Sequence, residues 1–378
     1  MKRLLTLIVV IPFLIQISKA DGNILLRLDD HSGESGILVK RKHDTAVSFA
    51  VKPVSYGIYH NNIYKKRLDS IEKDVPLDYN EAVQEQIETF LSTGREDISR
   101  EIGLSKYYFP IYEKAFRDAG IPDEIKYLSI VESQLNPNAV SRVGAVGPWQ
   151  FMSTTARLYG LQMDNYIDER RDPVQSSIAA AAYLKDAYQQ FGDWLLAIAS
   201  YNCGKSEVLV AIDKAGVSDF WAIKQYLPAQ TRDYVPAYIA ITYVMNYYKK
   251  HHIMPQECNM VMKTDTVLVD KFISLSSVSR VLGVSLSQLS ILNPSYTQAI
   301  INGSPASPKV LVIPQYAKEK YSAMYNQLNT DLGSAGYQSF DISARKYESI
   351  EKRIPVHRKV RKFENLASAR KISRITKG

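Results

Sequence analysis

A chain of 378 residues, 46% hydrophobic and 23% charged, has the apolar content for more than one packed domain; disorder and a collagen-like repeat are excluded. The formal net charge of +8 is unevenly spread, with +3 in residues 1–20, +8 in residues 316–378 and −3 between them. Basic character therefore belongs to the two ends and not to the body of the protein.

Met1-Lys2-Arg3, an uncharged and mostly apolar run from Leu4 to Ile17, and Ser18-Lys19-Ala20 form the pattern of a secretory signal over residues 1–20. The apolar run falls short of the ~18 residues that span a bilayer comfortably, which disfavours the alternative of a membrane anchor. No cysteine follows Ala20 to take a lipid. The mature protein is expected to begin near Asp21, without a permanent membrane span, and to be soluble outside the cytoplasm.

Residues 21–78 alternate short apolar runs such as Gly36-Ile37-Leu38-Val39 with polar spacers and read as an extended lead-in. Residues 79–250 then read as one all-α domain. Val83, Ile87 and Leu91 repeat at helical spacing, and Tyr107 to Ile111 opens a helix that stops at Gly120. Pro122 suits the first turn of the next helix, where Ile125, Leu128 and Glu132 stand at i, i+3 and i+7 before Asn136-Pro137 closes it. A carboxyl on an apolar stripe resists ionising, so Glu132 fits a general acid near neutral pH. It equally fits a buried glutamate paired with an arginine.

Gly144-Ala145-Val146-Gly147-Pro148-Trp149-Gln150-Phe151-Met152 joins glycines that permit close backbone approach to an indole and an amide that can bond sugar hydroxyls. The segment suits a carbohydrate groove, or merely a tight connection beside a buried tryptophan. Asp172-Pro173 caps a helix that ends before Gly192, Asp193 caps another toward Tyr201-Asn202, and a last long helix follows Pro236. Cys203 and Cys258 could pair in an oxidising compartment, although Cys203 also suits a small buried space. The six histidines are scattered. No metal site is visible and nothing calls for a cofactor.

Residues 251–258 read as a linker to a β-α-α-β unit over 259–315: a strand at Val267-Leu268-Val269, a helix from Leu275 to Leu282 stopped by Gly283, a helix from Ser285 through Leu292, and a strand at Val310-Leu311-Val312-Ile313. The remainder, 316–378, is basic and is expected to form a flexible tail. Its clusters Arg358-Lys359-Arg361-Lys362 and Arg370-Lys371 would attract an anionic envelope polymer, or simply stay solvated. For an exported chain, nucleic acid is not the expected partner.

Taken together, Glu132-Ser133, Asn136-Pro137-Asn138-Ala139, Gly144-Ala145 with Gly147, Trp149-Gln150-Phe151-Met152, Ala199-Ser200-Tyr201-Asn202 and Thr231-Arg232-Asp233-Tyr234-Val235-Pro236 resemble the family 1 lytic transglycosylases, in matching order and spacing over about residues 80–250. The resemblance implies a goose-lysozyme-like helical catalytic domain acting on peptidoglycan glycan strands. It implies cleavage of the β-1,4 bond between N-acetylmuramic acid and N-acetylglucosamine, with a 1,6-anhydro product. By that match Glu132 is the single acid and base, Ser133 orients it or the glycan, and Gln150 and Met152 line the sugar groove. Tyr201 and Asn202 hold the N-acetyl end, and Tyr234 bonds the catalytic carboxyl. Pro148, Cys203 and Gln230 depart from the leucine, alanine and glutamate usual in the family. Residues from Ser277 to Asn293 resemble a LysM glycan-binding module, but Phe272-Ile273-Ser274 replaces its usual Gly-Asp-Thr turn. The module is therefore expected to be degenerate. A lysozyme-type hydrolase on the same fold and a non-catalytic wall-binding protein are the other readings.

Overall fold

The computed structural model describes residues 56–316 and 318–329, preceded by two short strands, β1 (Ser18–Ala20) and β2 (Asn23–Leu25), paired antiparallel with each other. The expected leader, apart from Ser18–Ala20, lies outside the described residues, as do the basic clusters beyond residue 330.

From Tyr56 the chain is helical: α1 (Tyr56–Ile71), α2 (Glu81–Leu91), α3 (Arg95–Ala119), a 3-10 turn Asp123–Tyr127 running into α4 (Leu128–Ser133), α5 (Ser153–Leu158), α6 (Pro173–Phe191), α7 (Trp194–Cys203), α8 (Lys205–Ala215), α9 (Phe220–Ile223) and α10 (Ala229–Tyr247). Side-chain caps start many of these helices. Asn80 accepts from Val83 N, Asp172 from Val174 N and Gln175 N ahead of Pro173, and Asp193 from Leu196 N. α10 runs through the centre, buried at nearly every residue from Tyr234 to Met245, and α2, α4 and α7 pack on it while α3 packs on α6.

Two helices start earlier than the sequence suggests. α3 opens at Arg95 and α10 at Ala229, each carrying a proline, Pro110 or Pro236, in its interior. A proline removes one donor, here for the carbonyls of Lys106 and Arg232. Both residues are exposed, so water can serve the carbonyl that is left over. The lead-in also differs from expectation: α1 buries Tyr64 and Leu68, and Arg67 donates to the Tyr243 hydroxyl on α10 at 2.7 Å. Residues read as a linker lie along α3, where Gln256 N donates to Ser99 O at 2.9 Å. Cys203 and Cys258 are both free thiols.

Glu101 on α3 is 2% exposed, and its Oε2 has no hydrogen-bond partner among the described residues. Burial pushes its carboxyl up to about 7 from an ordinary 4.5. The folded state therefore keeps a proton that the unfolded chain loses between those values, and stability falls as pH rises through that window. Glu101→Gln is expected to stabilise the fold above pH 7 by up to about 3 kcal/mol and to have little effect below pH 4.5. Denaturant melts at pH 4 and pH 8 check this.

The second unit contains β3 (Thr264–Val269), β4 (Phe272–Ser274), α11 (Leu275–Leu282), α12 (Leu286–Leu292), β5 (Ile300–Asn302), β6 (Lys309–Pro314) and α13 (Lys318–Asn329). β3 pairs antiparallel with β6, from Thr264↔Pro314 to Val269↔Lys309, and the β4–β5 pair is an addition to the expected β-α-α-β frame. The tail also differs from expectation at its start. α13 buries Tyr321, Met324 and Leu328 against this unit, so residues 318–329 are structured. Among the described residues no single helix is long and apolar enough to cross a membrane.

Candidate active site

α4 ends one residue after Glu132, where the sequence suggested a helix unbroken to Asn136. Gln134 and Leu135 both take left-handed backbone, φ 56 and 62, a costly conformation for side-chain-bearing residues. Full burial of Leu135 and a 2.8 Å bond from Gln134 N to Ile130 O hold the reversal. Glu132 is thereby left at the helix end, half-buried, facing a cavity of about 670 Å³.

Gln150, Met152, Tyr201, Asn202 and Tyr234 line the same cavity as Glu132. Ser133 is not on its wall; the hydroxyl donates to Pro148 O at 3.0 Å and accepts from Asn136 N at 3.1 Å, tying the end of α4 to the glycine-rich loop. Gln150 sits at φ 46 and its Nε2 donates to Gly147 O at 2.8 Å, so its amide supports its own loop. Tyr201 donates its hydroxyl to Trp149 O at 2.9 Å and sets its ring edge-on to Phe151 and Tyr183. Asn202 accepts from Thr231 Oγ1 at 2.8 Å, which fixes the orientation of its amide.

Trp149 is not a stacking surface. It is fully buried against Tyr112 and Phe116, with Nε1 donating to Ser177 Oγ at 2.8 Å. The indole anchors the loop from behind, and Phe151, Tyr183 and Tyr201 supply the aromatic wall. Gly147 has φ 90, and a Cβ on it would lie 1.8 Å from the Arg170 carbonyl oxygen. Only glycine fits that contact.

The Tyr234 hydroxyl donates to Glu132 Oε1 across 102 residues of sequence. Burial pushes the Glu132 carboxyl up to about 7, against the opposing pull of that hydrogen bond. The Tyr234 hydroxyl itself is held well above its ordinary range by burial and by the carboxyl beside it, so it remains a donor. Among the described residues no lysine or arginine forms an ion pair with Glu132, and none lines the cavity. The reading of Glu132 as half of a buried ion pair therefore lacks its partner. Tyr234→Phe removes the interaction that lowers the carboxyl, and the alkaline limb of the pH–rate profile is expected to move to higher pH. Initial rates from pH 5 to 9 check the direction.

Sequence reasoning missed Gln86, Thr155 and Asp233 as lining residues. Gln86 lies next to Ile87 in the apolar periodicity of α2, and no motif marks it. Asp233 lay inside a quoted motif, but neither its role nor its direction could be read from it. Gln86, Gln150, Asn202 and Gln230 line the cavity together with the aromatic wall. Such a lining suits neutral, hydroxyl-rich and amide-bearing ligands.

Among known families, the transglycosylase SLT domain matches residues 109–224. A second match, to the LysM-like domain of lytic transglycosylase MltD, covers residues 263–330, including α13. Tyr234 and Asp233 lie beyond the first match and reach the cavity from α10. Membrane-bound lytic murein transglycosylase D of Escherichia coli strain K12 is 27% identical over 252 residues, covering 65% of this chain and 54% of that protein. A putative tributyltin chloride resistance protein of Alteromonas strain M-1 is 33% identical over 118 residues, 31% of this chain and 57% of that one. The chain thus spans about half the length of these relatives. Among solved structures, the 70 kDa soluble lytic transglycosylase SLT70 of Escherichia coli shows 26% identity and a TM-score of 0.33, covering 39% of this chain and 25% of that one.

Proposed function

We propose that this protein is an exported peptidoglycan lytic transglycosylase in which Glu132 alone serves as acid and then as base. The observation that carries the reading is a carboxyl facing the cavity, held near 7 by burial, with a hydrogen bond from Tyr234 and no cationic partner among the described residues. A protonated Glu132 gives its proton to the glycosidic oxygen as the bond to C1 of N-acetylmuramic acid breaks. The sugar's own N-acetyl group supports the electron-poor C1 in place of a second carboxylate. The C6 hydroxyl then attacks C1 and its proton returns to Glu132, closing the 1,6-anhydro ring without consuming water. Asn202 is suited to hold the N-acetyl group, and Gln150 and Met152 to line the glycan path.

A lysozyme-type hydrolase on the same fold would need a second carboxylate, and Asp233 on the cavity wall is the candidate. Asp233 is exposed, whereas Glu132 is half-buried, and it is burial, opposed by the Tyr234 hydrogen bond, and not a neighbouring carboxylate that raises the Glu132 carboxyl. In this reading the leader carries the chain to the periplasm or envelope. The LysM-like unit and the basic residues beyond 330 add contacts with the wall and with anionic envelope polymers. Incubation with purified sacculi tests the proposal: release of soluble fragments is expected, and binding without release would leave only a wall-binding protein.

A further inference from the structure

The segment between α5 and α6 is gripped from two sides. On one side it pairs with the second unit: Thr297 N donates to Tyr166 O at 3.0 Å, Asp168 N donates to Ser295 O at 2.9 Å, and Ile167 forms a bridge with Tyr296. Gln298 Nε2 reaches Asn165 O at 2.7 Å, and Asn302 Nδ2 reaches Asp164 Oδ2 at 3.1 Å. Ile167 belongs to the same buried apolar cluster as Val269, Leu275 and Ile301, and Tyr166 meets Phe272 edge-on at 5.2 Å. A residue of the helical unit thus completes the core of the LysM-like unit. Freely tethered modules share no core, and relative motion is their default.

On the other side stands the glycine-rich wall of the cavity. Arg170 forks onto Asp168, Nε to Oδ1 at 2.9 Å and Nη2 to Oδ2 at 2.8 Å, and its Nη1 donates to Gly144 O and Phe151 O, each at 3.3 Å. Those two carbonyls stand near the ends of the loop that carries Gln150, whose left-handed backbone persists only if its surroundings enforce it. A planar, two-pronged guanidinium has the geometry to fix both ends at once. Ser295 therefore connects to the cavity wall through two residues, Asp168 and Arg170.

We propose that the LysM-like unit acts as a brace for the glycine-rich wall, with Arg170 as the positioning residue that transmits its hold. The kinetic consequence rests on the transglycosylase reading, whereas the mechanical one does not. Docking of the second unit restrains the 164–168 segment, that restraint sets the Asp168–Arg170 fork, and the fork keeps Gly144 and Phe151 at the spacing the Gln150 turn requires.

The test uses the full chain and two substitutions. Ile167→Asp places a carboxylate in the core of the second unit, and Arg170→Gln breaks the fork without touching that core. Both are expected to raise amide hydrogen exchange at residues 144–151 by about tenfold or more. Both should also lower kcat on soluble glycan fragments by about tenfold or more, with KM changing less. Ile167→Val is expected to restore both readouts, and Arg170→Lys to restore neither. Should Ile167→Asp fail to fold, Gln298→Ala combined with Asn302→Ala loosens the same seat more gently. Faster exchange at 164–168 and 295–299 with unchanged exchange at 144–151 would overturn the brace. If no variant or parent cleaves glycan, the exchange comparison still decides it, and the activity reading fails separately.

Discussion

Glu132→Gln is expected to reduce glycan cleavage by about 10²- to 10⁴-fold while the fold is retained. The amide has nearly the shape of the carboxyl, and its oxygen can still accept from the Tyr234 hydroxyl, but it has no proton to give to a leaving oxygen. Because burial disfavours the charged carboxylate, the substitution also removes a penalty that the wild type meets as pH rises. The sign follows from the raised carboxyl. Folded Glu132 holds its proton up to about 7, so wild-type activity should be present below that pH and fall as pH climbs through it. Fragment release by both forms between pH 5 and 9, with a thermal melt of each, measures rate and integrity together. A variant that keeps wild-type activity would remove Glu132 from the chemistry.

Gly147→Ala is expected to destabilise the protein by on the order of 3 kcal/mol or more and to abolish activity even where the chain is folded. Two separate costs combine. The backbone at φ 90 is poor for alanine, and the new methyl would meet the Arg170 carbonyl oxygen at 1.8 Å, which forces main chain apart on both sides. Gly144→Ala is the matched control, since φ 87 carries similar strain while its Cβ would meet nothing within 4 Å. The difference between the two melting temperatures isolates the carbonyl contact. With roughly 2–4 °C per kcal/mol for a domain of this size, several degrees should separate them. Equal shifts would show that the wall and the 170 segment can slide apart cheaply.

Where a boundary depends on a few neighbouring atoms, the sequence was readable. The Asp172-Pro173 start, the Gly192 stop, the Asp193 and Ser285 caps and the Gly283 stop all stand where local capping chemistry puts them. Pro110 and Pro236 misled because a proline marks a helix start only when nothing else compensates its missing donor, and here each lies inside an established helix. The left-handed pair at Gln134 and Leu135 has no glycine to announce it and is held by tertiary burial. Glu132 stood out by its place on an apolar stripe, but Tyr234, 102 residues away, came from family resemblance and not from any spacing. The docking of the second unit was illegible for a plainer reason. It combines backbone bonds at Tyr166 and Asp168 with side-chain contacts of Ile167, Gln298 and Asn302, and the Gln298 and Asn302 partners lie 133 and 138 residues away, a separation that no local spacing signals.

The most direct measurement is the mass of the fragments released from purified sacculi by the wild-type chain. A mechanism in which the C6 hydroxyl of N-acetylmuramic acid displaces the leaving sugar predicts anhydro ends, lighter by one water than hydrolysed ones. Fragments with ordinary reducing ends would contradict it and transfer the chemistry to a hydrolase using Glu132 with a second carboxylate.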